Sequence, residues 1–261
     1  MEIKTQEISL PLLKEKEIKL FIKRTDQTHK HVSGNKWYKL KYNLIEAKKK
    51  GFQTLLTFGG AYSNHITATS CAAKENGFKS IGVIRGEEHL PLNPTLKFAR
   101  DNEMELHYVS RSDYREKTTP DFLELLKAKF GDFYLIPEGG TNDLAIQGTE
   151  EILEANDTQD YICCAVGTGG TIAGVINAST DKQTVIGFPA IKGIDTLEKC
   201  IENWTNSTNY KFINTYFVNG YAKVSKELVQ FINEFNFTHN IPLDAVYTGK
   251  MMLGVLDLVG K

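Results

Sequence analysis

Short, continuously apolar runs, separated by amphipathic stretches, most constrain what this chain can fold into. "LLTF" (55–58), "SIGVI" (80–84), "ELHYV" (105–109), "FYLI" (133–136), "YICCAV" (161–166) and "TVIGF" (184–188) read as strands. Helical patterns near 64–76, 93–102 and 121–130 lie between the first four. A strand without polar alternation must be covered on both faces, and strand–helix alternation supplies the cover through crossover helices. The expectation is an α/β protein of two three-layer domains with mostly parallel sheets. A small inserted domain is expected over 44–138. The strand "IKLFIKR" would join the residues after Gly139 in a larger domain, 1–43 with 139–261.

The 31 basic and 32 acidic residues leave a net charge of -1, which argues against nucleic acid or an anionic membrane as partner. Cys71, Cys163, Cys164 and Cys200 form no CxxC pair, so no metal site or disulfide framework is readable. Buried thiols in a reducing compartment are expected. The opening "MEIKTQEISL" lacks the apolar core of a signal peptide, and no run reaches membrane-spanning length. These features are read as a cytoplasmic protein.

"YICCAVGTGGTIAGVINAS" is the strongest local motif. A strand ends at Val166, the turn Gly167-Thr168-Gly169-Gly170-Thr171 follows, and a helix begins. Backbone N–H groups at such a turn, with the positive end of a helix dipole, make an anion site. A Walker loop needs a lysine after its last glycine, where Thr171 stands, and a dinucleotide fingerprint needs glycine at Ile172. A small phosphate monoester held by backbone amides fits; a tight connection without ligand is the alternative.

"HVSGNKWYKLKYNL" places Lys36 just past a Ser-Gly-Asn turn, at the start of a helix over 37–50. The dipole disfavours a positive charge there, which favours a neutral, nucleophilic amine. Lys39 and Lys41 read as helix surface. A phosphate cup with such a lysine suggests pyridoxal phosphate, which needs both. In "TFGGAYSNHITATSCAAKENG" a strand ends at Phe58, a glycine pair turns, and Ser63-Asn64-His65 opens a helix. That is a second anion site, suited to an amino-acid carboxylate, or else a plain helix cap.

In this order, "SGNKWYKLKY", "GGAYSNH", "IPEGGTN", "VGTGGT" and "PLDAVYTGKMMLGVLDL" resemble the fold type II pyridoxal-phosphate enzymes, the tryptophan synthase β-like group. Within it they are most similar to the 1-aminocyclopropane-1-carboxylate deaminase / D-cysteine desulfhydrase family. The resemblance implies Lys36 as the lysine that binds pyridoxal 5'-phosphate, and Gly167 to Thr171 as its phosphate loop. It implies Ser63, Asn64 and His65 as carboxylate contacts, with Asn64 also near the cofactor's phenolic oxygen. Tyr247 matches the tyrosine on the cofactor ring, and Tyr221 a second active-site tyrosine. Thr248 stands where cyclopropane deaminases usually carry glutamate, which favours β-elimination from D-cysteine over ring opening. A homodimer acting on a small amino acid is implied. Family members continue past "GVLDL" to a further strand, whereas this sequence stops at Lys261, so an impaired member that binds without turnover is a further expectation.

Overall fold

In the computed structural model of the chain, residues 3–190, 194–215 and 224–261 are described. The chain divides into two compact units, 29–148 and the combination of 1–28 with 149–261.

The larger combination begins with β1 (Thr5–Ile8), α1 (Pro11–Glu15) and β2 (Leu20–Lys23). β1 and β2 pair antiparallel, Thr5 opposite Lys23 and Ile8 opposite Leu20, as a sheet of their own. The strand expected in "IKLFIKR" is β2, and its partner is β1 rather than a strand of the parallel sheets.

The inserted unit follows, with α2 (Asn35–Lys49), β3 (Thr54–Gly59), α3 (Asn64–Glu75), β4 (Lys79–Arg85), α4 (Pro94–Asp101), β5 (Met104–Val109), α5 (Pro120–Phe130), β6 (Tyr134–Ile136) and α6 (Asp143–Glu150) at its end. Its four strands are parallel in the order β5-β4-β3-β6. Helix starts are set locally. Ser63, Asn93 and Thr119 accept from the backbone N–H three residues on, and prolines at 94 and 120 enter the first turn, where no N–H is needed. β3 shows why its run is continuously apolar. Leu55 packs with Leu40, Ala68 and Ala72 in one cluster, while Leu56 and Phe58 pack with Val83, Tyr114 and Leu126 in another. The unit is wider than the expected 44–138 because α2 belongs to it: Leu40 and Ala47 are buried in the Leu55 cluster.

The chain then returns to the first unit. β7 (Tyr161–Val166), β8 (Thr184–Pro189) and β9 (Tyr210–Phe212) form a parallel sheet in that order. β9, only three residues long, had no legible pattern. α7 (Gly170–Ala178), α8 (Ile194–Glu202), α9 (Lys226–His239) and α10 (Thr248–Gly260) complete the unit. Ile172, Val175 and Ile176 of α7 bury against Val166 and Val185 of the sheet. Among the described residues, no helix is long and apolar enough to cross a membrane.

Candidate active site

Ligands of open parallel sheets sit beyond the carboxyl ends of the strands, where the strand order reverses. In the inserted unit that point lies between β3 and β6, because the chain runs outward from β3 through β4 to β5 and then returns to the other side of β3. Two glycine turns leave from there: Gly59-Gly60 after β3, and Gly139-Gly140, both at φ 69, after β6.

Two lysines converge on the second turn. Lys36, in the first turn of α2, donates to the Gly139 carbonyl at 3.4 Å; Lys39 donates to the same oxygen at 3.1 Å and to Thr141 Oγ1 at 2.8 Å. Lys39 is only 2% exposed, which corrects the expectation that it lies on the helix surface; Lys41 is exposed. Burying an ammonium is costly unless it is hydrogen-bonded, and the 139–141 turn supplies that bonding. The turn is tied to α2 a second time. Asn142 Nδ2 donates to Asn43 Oδ1 at 2.7 Å, and Asn43 Nδ2 donates back to Asn142 Oδ1 at 3.1 Å. Asn43 Nδ2 also donates to the Lys39 carbonyl at 2.8 Å.

Ser63, Asn64 and His65 open α3 together but face different ways. Ser63 Oγ caps the helix by accepting from Ile66 N–H at 3.4 Å, and Asn64 is exposed. The His65 side chain points into the unit: 2% exposed, Nε2 at 2.7 Å from Thr57 Oγ1, Nδ1 at 3.4 Å from Thr69 Oγ1. Thr57 spends its own proton on the Ile136 carbonyl at 2.8 Å, so it accepts from His65, and the ring proton is assigned to Nε2. Burial first, then the charges of Lys36 and Lys39, hold this imidazole well below its ordinary pKa. It is a neutral ring behind the turn, and what His65 presents outward at the helix start is its backbone N–H.

In the other unit, Gly169 stands in the left-handed region, φ 88, as the N-cap of α7, with no side chain capping the helix. Gly170 and Gly169 are buried, Gly167 and Thr171 half-buried, Thr168 exposed. A methyl group on Gly167 would stand 3.1 Å from Tyr247 Cε1, so the tyrosine ring lies directly against the turn. Asp244 fixes that ring's backbone: its carboxylate accepts from Val246 and Tyr247 N–H at 2.8 Å and from Thr248 N–H at 3.2 Å. The Thr248 hydroxyl donates to Asp244 Oδ2 at 3.2 Å and accepts from Asp244 N–H at 2.8 Å. Asp244 and Lys39 are the residues the sequence reading missed. In the later unit, a glycine turn that caps a helix without a side chain, with an aromatic ring against it, fits the phosphate and ring of a phosphorylated pyridine; in the inserted unit, a lysine at a helix start fits the amine that such a group's aldehyde requires.

A model of the family described as "Pyridoxal-phosphate dependent enzyme" matches residues 2–201. The chain belongs to that family. A Thermotoga maritima protein named "Putative 1-aminocyclopropane-1-carboxylate deaminase" is 33% identical over 262 residues, which cover 92% of this chain and 83% of the relative. A "Bifunctional D-cysteine desulfhydrase/1-aminocyclopropane-1-carboxylate deaminase, mitochondrial" from Arabidopsis thaliana is 29% identical over 271 residues, 93% of this chain and 68% of the relative. A solved structure described as an "ACC deaminase homologue" superposes with a TM-score of 0.85 at 28% identity, covering all of this chain and 85% of the other. The fold is therefore the type II pyridoxal-phosphate fold, within the 1-aminocyclopropane-1-carboxylate deaminase family, and its cofactor is pyridoxal 5'-phosphate.

Tyr221 lies outside the described residues. One group of metal-ligating type, His29, Cys71 and Glu75, occurs among the described residues. His29 Nδ1 accepts from Val32 N–H at 3.0 Å and His31 N–H at 3.2 Å, so its proton sits on Nε2, which faces Glu75 Oε2 at 3.4 Å. Cys71 donates to Glu75, and burial pushes its thiol up to about 11. His29 and Cys71 both bind Glu75, and the ring nitrogen that faces Glu75 carries a proton.

Proposed function

We propose that this chain catalyses β-elimination from a small amino acid, D-cysteine foremost, converting it with water to pyruvate, ammonia and sulfide. Lys36 is assigned the cofactor's carbonyl carbon, the turn Gly167, Thr168, Gly169, Gly170 and Thr171 its phosphate, the Tyr247 ring its face, and Asn64 its phenolic oxygen. When bound, pyridoxal phosphate supplies a sink for the electron pair left when the α-proton is removed.

The residues do the rest. Ser63 and the backbone N–H groups of Asn64 and His65, at the positive end of α3, hold the substrate carboxylate. Lys36 Nζ takes the α-proton as general base. Lys39, fixed on Gly139 and Thr141, keeps a second positive charge beside the turn that Lys36 also bonds. Tyr247 is held at the phosphate turn by Asp244, which accepts from its backbone N–H.

Thr248 carries the choice of substrate. Its hydroxyl both donates to and accepts from Asp244, and so offers no acid to a ring nitrogen. A weaker electron sink suits a substrate with a good leaving group, and a thiolate is one. The second reading, deamination of 1-aminocyclopropane-1-carboxylate, is favoured by the name of the Thermotoga maritima relative, whereas the Arabidopsis thaliana name carries both activities. Turnover of the cofactor-loaded protein with each substrate separates the two. Sulfide and pyruvate from D-cysteine support the proposal; 2-oxobutanoate from the cyclopropane, without sulfide from D-cysteine, overturns it.

A further inference from the structure

The carboxyl edge of the inserted unit's sheet carries a concavity. A cavity of about 400 Å³ is lined by Arg85 at the end of β4, Arg111, Tyr114, Arg115 and Lys117 after β5, and Glu138 after β6. Four cations thus face one carboxylate, and that carboxylate is already engaged. Glu138 Oε1 accepts from the Tyr114 phenol at 2.8 Å, and Oε2 lies 3.4 Å from the Lys117 ammonium. Tyr114 is 3% exposed and forms a fixed wall, with Lys117 Nζ 5.0 Å and the Arg85 guanidinium 5.8 Å from its ring centroid.

Three arginines remain. Among the described residues, no carboxylate lies within ion-pair distance of Arg85, Arg111 or Arg115, although Asp113 and Glu116 occupy the same short 3-10 turn as Arg115. Like charges gathered around one concavity repel, and here folding does not relieve them. An anion would. Guanidinium forks match the paired oxygens of carboxylate and phosphate, and a concave site concentrates their field. Arg85 also reaches the turn after β3: a methyl group on Gly60 would stand 3.8 Å from its Nη2.

We propose that this cavity is an anion site for a small ligand carrying a phosphate or paired carboxylates. It does not depend on the reaction proposed above, because binding is read without turnover. The test is calorimetric titration of the cofactor-loaded protein with inorganic phosphate and, separately, with succinate; loading the cofactor fills its own phosphate site. One anion bound per chain is expected, weakened about tenfold or more in Arg85→Gln and in Arg111→Gln. Both variants keep the visible cofactor band, and added salt weakens binding in the parent. The exposed Arg115→Gln is a third variant that holds the test open should either of the others unfold. Two sources of the anion are separable. Phosphate that raises the KM for the amino acid at unchanged kcat assigns the site to a second anionic group on the substrate; phosphate that binds without moving KM assigns it to a separate ligand. No heat with either probe, or binding unchanged in all three variants, overturns the proposal.

Discussion

His65 allows a sharp test of the electrostatics at the strand-order reversal. Burial, then Lys36 and Lys39, keep its imidazole neutral in the folded chain. In the unfolded chain it takes up a proton as the pH falls through about 6.5. The unfolded state then binds more protons, so this group's contribution to stability is intact above that pH and lost below it. For one such group, lowering the pH from about 7.5 to about 5.5 removes about 1.4 kcal/mol. His65→Gln isolates that amount. A glutamine amide can donate to Thr57 and accept from Thr69 as the ring does, but it does not titrate. Urea unfolding followed by the fluorescence of Trp37 and Trp204 gives the free energies at both pH values. The stability difference between variant and parent should move by about 1.4 kcal/mol in the variant's favour on acidification. A difference that does not change with pH would mean that the folded ring protonates normally, and would refute the buried, lysine-flanked assignment.

Further outcomes follow from the same geometry. Lys36→Ala should lose both the visible band of the lysine-bound cofactor and turnover, while its circular dichroism stays that of the parent; a band that persists places the cofactor on another amine. Thr57→Val keeps the shape of a fully buried side chain but strands the His65 Nε2–H, at a cost of about 2–3 kcal/mol in urea unfolding. Thr57→Ser loses only a methyl group, at about 1 kcal/mol, so the reverse order would contradict the assigned hydrogen bond. Gly169→Ala forces φ 88 on a residue with a Cβ that would stand 3.0 Å from Leu197 Cδ1. It should weaken cofactor affinity about tenfold or more by spectroscopic titration, since strain at that position costs on the order of 1–3 kcal/mol.

What the sequence disclosed and what it hid divide along a physical line. Continuous apolar runs located every strand of the two parallel sheets except the three-residue β9, because Leu55 and Leu56 serve different clusters and neither can be polar. The turn at 167–171 was legible because strand, glycines and helix follow one another along the chain, so local rules suffice. Lys39 was not legible. It lies between Lys36 and Lys41 in a lysine-rich helix, and composition reads all three alike. Its burial comes from a carbonyl and a hydroxyl a hundred positions away, Gly139 and Thr141. One local signal was nevertheless present. Lys36, Lys39, Leu40, Asn43 and Ala47 recur at helical spacing, whereas Lys41, Ile45 and Lys48 fall on the other face. The first set is the face that meets the core, so its polar members needed partners from elsewhere in the fold. The same spacing turns Asn64 outward and His65 inward at the start of α3, although both sit in one motif. A motif names residues that matter together. The helix period decides which side chain of a motif faces outward and which is buried behind it, and at the start of α3 that division runs between neighbours in the sequence, Asn64 and His65.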